Sequence, residues 1–150
     1  MTILYPGSFN PFTKGHADIL KRLLKIADKV IIGIGVNNEK KHSQDETDLN
    51  KAYIQDYVKK EGIGNKVDVV IYKGMTAELV KETGADCMAR GVRNGTDFDY
   101  EYSLACANRD AFGIETILIP ADPALSFVSS SVVRDLFANG REDVAKRFMP

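Results

Sequence analysis

Seven consecutive residues, Val30 to Val36 (VIIGIGV), are apolar without a break, and five of them are β-branched. A strand of that kind offers no face to water, so it has to be covered on both sides, as in a parallel sheet flanked by helices. Shorter runs of similar character recur at Ile3 to Tyr5, Val67 to Tyr72, Asp86 to Ala89 and Thr116 to Ile119. Stretches with helical spacing lie between them. From His16 to Lys29, apolar Ile19, Leu20, Leu23 and Leu24 alternate with Lys21, Arg22 and Lys25, as on an amphipathic helix. Further helices are predicted over Ala52 to Glu61, Thr76 to Thr83, Asp97 to Phe112 and Ser129 to Ala138, with a short one at the end. Asn37 to Asn50 is polar and highly charged and reads as a long loop or a weak helix start.

This alternation predicts an α/β fold: a Rossmann-like, doubly wound, parallel five-stranded sheet in a single domain over residues 1–150. Such sheets bind ligands beyond the carboxyl ends of their strands. The chemically loaded segments all follow predicted strands: Pro6 to His16, Asn37 to Lys41, Gly74 to Thr76, Arg90 to Arg93 and Pro120 to Ser131. A formal net charge of −1 gives no global attraction for nucleic acid or an anionic membrane, so phosphate chemistry has to use locally placed cations. No apolar run approaches the roughly 20 residues that cross a bilayer. The chain opens on a strand-like segment without a signal pattern, and a cytoplasmic location is expected. Cys87 and Cys106 lack metal-ligand spacing and are expected to be reduced core thiols.

In GSFNPFTKGH, Gly7 to His16, a glycine after a strand lets backbone approach a phosphate, and Ser8 adds a hydroxyl. His16 stands at a helix start, where free N–H groups and the dipole favour anions and a histidine can donate a charge-assisted bond. The alternative is a turn capped by Thr13 with an incidental His16. Neither GxxxxGK[ST] nor GxGxxG follows a strand, which removes most support for a P-loop or dinucleotide enzyme. Arg90 and Arg93 can offer forked donors to phosphate, or pair with Asp97, Asp99 or Glu101. Ser129, Ser130 and Ser131 can cap a helix, bind an anion, or do both. Lys40 and Lys41 alone read as a solvated charge pair, and Tyr100 and Tyr102 as packing residues.

GSFNPFTKGH resembles the [ST]xGH motif of the nucleotidyltransferase superfamily. Ala89 to Arg109 (ARGVRNGTDFDYEYSLACANR) and Ser126 to Arg134 (SFVSSSVVR) resemble, in order and spacing, two segments of the bacterial phosphopantetheine adenylyltransferases. The resemblance covers nearly the whole chain. It implies transfer of the adenylyl group of ATP to 4′-phosphopantetheine, giving 3′-dephospho-coenzyme A and pyrophosphate in coenzyme A biosynthesis. The attack is then in line on the α-phosphorus, with neither a covalent nucleophile nor a general base.

The same resemblance implies that His16, Lys40 and Arg93 carry the catalytic charge. ATP would meet Ser8, Phe9, His16, Gly91, Val92, Arg93, Glu101, and the run Leu125, Ser126, Phe127, Val128, Ser129, Ser130 and Ser131. Phosphopantetheine would meet Ser8, Lys40, Thr76 and Arg90. Mg²⁺ would arrive on the nucleotide with no ligand from the protein, and the enzyme would be a homohexamer. Two departures stand out: Asn10 where the family usually has Asp, and Gln44 to Ile54 in place of the usual lid sequence. GSFNPFT is also typical of nicotinate-mononucleotide adenylyltransferases, which lack the Arg90 to Glu101 segment. The rival from another class is a non-catalytic ATP-binding module.

Overall fold

The computed structural model describes residues 1–36 and 44–150. Five strands alternate with helices along these residues: β1 (Thr2–Gly7), β2 (Lys29–Gly35), β3 (Val67–Tyr72), β4 (Cys87–Val92) and β5 (Thr116–Pro120). They form one sheet in the order β3-β2-β1-β4-β5, and every recorded pairing is parallel. Helices α1 (Lys14–Leu23), α2 (Gln44–Lys60), α3 (Thr76–Thr83) and α4 (Gly95–Phe112) connect them, and α5 (Ser130–Ala138) and the short α6 (Glu142–Ala145) follow β5. The order moves outward from β1 to β3, then returns to the other side of β1 for β4. That reversal is the switch point of a doubly wound sheet.

Alternation along the strands sends successive side chains to opposite faces. Ile3, Tyr5, Val30, Ile32 and Ile34 pack with Ile19, Leu20 and Leu23 of α1 and Ile54, Tyr57 and Val58 of α2. Leu4, Ile31 and Met88 pack with Ala77, Leu79 and Val80 of α3. Gly33 in the middle of β2 is a requirement of this packing. A Cβ there would lie 2.9 Å from Leu79 Cδ2 and 3.3 Å from both Leu4 and Tyr72.

Two predicted helix boundaries change most, and three side chains are less buried than expected. The first helix ends at Leu23, not Lys29, because tight turn bonds from Lys25 to the Arg22 carbonyl and from Ile26 to the Leu23 carbonyl bring the chain back into β2. Ile26, although apolar, is 54% exposed. Residues Gln44 to Asn50 already belong to α2, which decides for the helical alternative over that part of the polar stretch. Cys87 is buried, whereas Cys106 on α4 is only half-buried. Tyr100 and Tyr102 are 63% and 56% exposed and so are not core packing residues; Tyr102 stacks on Phe98.

The pairing between β1 and its two neighbours is uneven. With β2 it runs from Thr2 to Gly7, but with β4 it covers only Ile3–Cys87 and Leu4–Met88. Beyond Leu4 the two central strands are no longer laddered, and a cavity opens at their carboxyl ends.

Gly33→Ala is expected to destabilise the protein by about 1–3 kcal/mol through overpacking of the β2–α3 contact. Urea unfolding followed by circular dichroism measures this, and an unchanged midpoint would show that the neighbours yield freely.

Candidate active site

The cavity has a volume of about 330 Å³. Its lining comes from the end of β1 and the following loop (Pro6 to Phe9), the start of α1 (Thr13, Gly15, His16, Ile19), β4 (Arg90, Gly91) and Arg93 just after it, α4 (Asp97, Glu101), and the start of α5 (Ser129, Ser130, Ser131, Arg134) with Leu125 and Val128. Twelve sequence-expected residues therefore meet here: Ser8, Phe9, His16, Arg90, Gly91, Arg93, Glu101, Leu125, Val128, Ser129, Ser130 and Ser131. Val92, Ser126 and Phe127 are not among the lining residues. Val92 is buried, Ser126 donates its hydroxyl to the Pro123 carbonyl, and Phe127 is 61% exposed against Phe148. Lys40 lies outside the described residues.

His16 is built into the first turn of α1. Its backbone N–H donates to Thr13 Oγ1, and its ring Nδ1 accepts from the Thr13 N–H at 3.0 Å, so the two residues form a reciprocal capping box. The ring lies edge-on to Phe9 at 5.0 Å and parallel to Phe12 at 5.7 Å. An Nδ1 that accepts leaves the proton of the neutral imidazole on Nε2. Burial, with the positive fields of Arg90 and Arg93 added, lowers its pKa to about 4. The capping alternative and the functional one thus coincide: the cap fixes the tautomer. The charge-assisted donor expected from the sequence is a neutral Nε2–H donor in the free protein.

Phe9 is 1% exposed and packs on Tyr5, Phe12 and His16, so its backbone is what it can offer a ligand. Gly91 lets β4 lie close to α1, since a Cβ there would be 3.3 Å from Ile19 Cγ1.

The cations are fixed by partners. Arg90 donates from Nε and Nη2 to the two carboxylate oxygens of Glu101, at 2.9 and 2.8 Å, and from Nη1 to the Pro6 carbonyl at 2.7 Å. Arg93 donates to Asp97 at 2.9 Å, which holds that carboxyl below its ordinary range. Both ion pairs stood among the sequence alternatives.

At the start of α5, the Ser129 hydroxyl accepts from the Val132 N–H. Ser130 donates its hydroxyl to the Pro11 carbonyl at 2.8 Å. These two hydroxyls are therefore engaged within the protein, and the Ser130 and Ser131 N–H groups are the donors that a helix start leaves for an anion. Arg134 was absent from the sequence expectations. It donates to the Asn10 carbonyl and the Ser131 hydroxyl. Its signal was its place one turn into α5, on the side of Ser130 and Ser131.

Thr76 lines a second cavity of about 180 Å³, with Pro6, Met88, Arg90, Glu101, Leu104, Ala105, Asn108 and Thr116. Pro6, Arg90 and Glu101 are common to both cavities. Thr76 shares a hydrogen bond with the Tyr72 hydroxyl at 2.8 Å. Thr116 Oγ1 is buried and, among the described residues, has no hydrogen-bond partner.

Comparison with known proteins gives a consistent result. The cytidylyltransferase-like family model matches residues 4–136. The chain is 45% identical to the phosphopantetheine adenylyltransferase of Porphyromonas gingivalis, covering 93% of this chain and 88% of the relative. It is 44% identical to that of Flavobacterium psychrophilum, over 91% of this chain and 88% of the relative. Among solved structures, nicotinic acid mononucleotide adenylyltransferase from Plasmodium falciparum superposes with a TM-score of 0.66 at 18% identity, covering 99% of this chain and 89% of that one. That likeness bears on the fold alone.

His16 is neutral in the folded state at pH 7, whereas the unfolded chain takes up its proton near the ordinary value of 6.5. The resulting contribution to stability is complete above about pH 6.5 and is lost as pH falls towards 4. The unfolding midpoint of wild type is expected to fall more than that of His16→Gln across this window. Nitrogen NMR of the ring should report the Nε2–H tautomer at pH 7; an Nδ1–H signal would contradict the capping-box assignment.

Proposed function

The chain belongs to the phosphopantetheine adenylyltransferases of the cytidylyltransferase-like family, and on that premise we propose that it transfers the adenylyl group of ATP to 4′-phosphopantetheine. The products are 3′-dephospho-coenzyme A and pyrophosphate. The observation that carries the mechanism is the pair of cavities with Arg90 in their common wall. ATP occupies the larger one, its phosphates against the α5 start, Arg93 and His16. Phosphopantetheine occupies the smaller one, beside Thr76, with its phosphate towards Arg90.

The acceptor phosphate is already an anion and attacks the α-phosphorus directly, so no side chain has to form a covalent intermediate or remove a proton. The protein holds two polyanions in line and neutralises the charge that grows on the α-phosphoryl oxygens and the leaving pyrophosphate. His16 donates its Nε2–H to a phosphate oxygen, and the anion beside it then favours the protonated ring. Lys40 adds charge from the segment between β2 and α2.

Mg²⁺ accompanies the nucleotide. Among the described residues no group of three His, Cys, Asp or Glu is placed to hold a metal, and Asp97 and Glu101 are each paired with an arginine. Among the described residues, those lining the cavity do not fit a protein-held ion. The enzyme acts in the cytoplasm as a homohexamer. In support, α4 exposes Phe98 (47%) and Tyr102 (56%) on one side and Tyr100 (63%) and Leu104 (40%) on another, apolar surface of the kind a subunit interface covers.

A coupled pyrophosphate assay with phosphopantetheine, nicotinate mononucleotide or no acceptor tests the assignment. Release should need phosphopantetheine; release with nicotinate mononucleotide instead would overturn the acceptor, and ATP binding without release would favour a binding module. His16→Ala is expected to lower kcat about 10²-fold with ATP affinity little changed, as read by steady-state kinetics and calorimetry. Light scattering tests the hexamer, and a monomer at assay concentrations would reject it.

A further inference from the structure

We propose that Arg22 is a positioning residue for the nucleotide: it ties the end of β5 to α1 and so fixes the wall that Ala121 gives the larger cavity. The inference rests on the adenylyl-transfer reading above, which seats ATP in that cavity. Arg22 lies in the last turn of α1 and is not among the residues that line the cavity. Its Nη1 donates to the Pro120 carbonyl at 2.6 Å, a bond between residues 98 positions apart. The same nitrogen meets Asp18 Oδ2, one turn earlier on α1, at 3.3 Å. On an open helix surface such an i,i+4 pair contributes little. Here the two side chains are only 35% and 25% exposed, and the carboxylate helps to hold the guanidinium against the end of β5.

The end of β5 needs such an anchor. β5 is an edge strand, laddered to β4 alone. The chain leaves the sheet at Pro120, and the next residue, Ala121, lines the cavity. Ala121 donates its N–H to the Val92 carbonyl at 2.7 Å, which fixes its distance from the β4 end but not from α1. Arg22 supplies that second constraint. Ile19, three residues before Arg22 on α1, lines the same cavity and packs close to Gly91 of β4. The Arg22 bond therefore joins two elements that each place a lining residue beside it, Ile19 on α1 and Ala121 after β5. The phosphate end of the cavity is held by other bonds. Ser130 donates to the Pro11 carbonyl and Arg134 to the Asn10 carbonyl, so the start of α5 keeps its place without Arg22. What remains for the Ile19–Ala121 end is the nucleoside. Loss of Arg22 then loosens the nucleoside and spares the phosphates.

The test is Arg22→Met, which keeps an apolar stem and removes every donor, with thermal melts to confirm folding and Arg22→Leu in its place if it does not fold. Calorimetry with ATP, AMP and pyrophosphate reads the effect. Expected are dissociation constants for ATP and AMP about tenfold above wild type, with that for pyrophosphate within about twofold. In turnover the KM for ATP should rise by a similar factor, and kcat should stay within about twofold of wild type. Unchanged affinity for ATP and AMP would overturn the proposal. So would a loss of pyrophosphate affinity equal to that of ATP, which marks a general loosening of the site. Wild-type binding separates the two claims. If wild type binds neither ATP nor AMP, the nucleotide assignment fails. Positioning of the wall is then read from amide hydrogen exchange at Ala121 and Ala124, whose N–H groups meet the Val92 carbonyl and the Asp122 carboxylate. Exchange at both should be faster in Arg22→Met; equal exchange in the two proteins would overturn it.

Discussion

The parting of β1 from β4 is the constraint on which the rest of the site depends. Both strands lie at the centre of the sheet, but their ladder stops after Leu4 and Met88 while each keeps its outer neighbour to the end. Pro6 has no N–H to continue a ladder. The gap therefore exposes backbone and receives side chains from both sides: Arg90 from β4, His16 from α1 and Glu101 from α4. An open α/β sheet places its ligands at such a reversal because the crossing connections leave in opposite directions there. In this chain the Arg90 bond to the Pro6 carbonyl closes the floor of the gap.

A chain of net charge −1 that handles two polyanions has to concentrate its cations, and cations held close together repel one another. Two arginines in the cavity are balanced locally, Arg90 by Glu101 and Arg93 by Asp97, while Arg134 is held by the Asn10 carbonyl and keeps its charge. His16 joins them uncharged, its ring lying between Phe9 and Phe12 with Nδ1 occupied by the Thr13 N–H. The site is thus oriented before the ligand arrives, so little reorganisation is left for the reaction step. Burial and the two neighbouring arginines keep the ring neutral in the free protein at pH 7.

How much of this could be read from the residues depended on range. The unbroken apolar run at Val30 to Val36 identified a doubly covered strand, because burial on both faces leaves no polar alternation. The loaded segments fell after strands, which located the cavity edge. The end of α1 was not legible, since Leu24 and Ile26 continue the apolar pattern past the point where the turn begins. Asp97 lies four residues after Arg93, and such a pair is visible as spacing. Glu101 lies eleven after Arg90 and meets it only because α4 folds back along β4. That choice among Asp97, Asp99 and Glu101 required the tertiary structure. The role of the Ser129 and Ser130 hydroxyls was equally hidden, because whether a serine caps, tethers or binds is set by the loop facing it, here Asn10–Pro11.

The two cavities draw on different parts of the chain, and this has a consequence for acceptor choice. The larger is built chiefly by the β1–α1 loop and the start of α5. The smaller takes Thr76 from α3, Leu104, Ala105 and Asn108 from α4, and Thr116 from β5. Only Pro6, Arg90 and Glu101 serve both. Reshaping α3 and the second half of α4 would change what the smaller cavity admits without moving the β1–α1 loop or the start of α5, provided that the Arg90–Glu101 pair stays in register. Glu101 sits one turn before Leu104 and Ala105 on the same helix, so any shift of α4 that alters the wall of the smaller cavity also moves the carboxylate paired with Arg90. The shape of the smaller cavity and the orientation of Arg90 are therefore coupled through one helix.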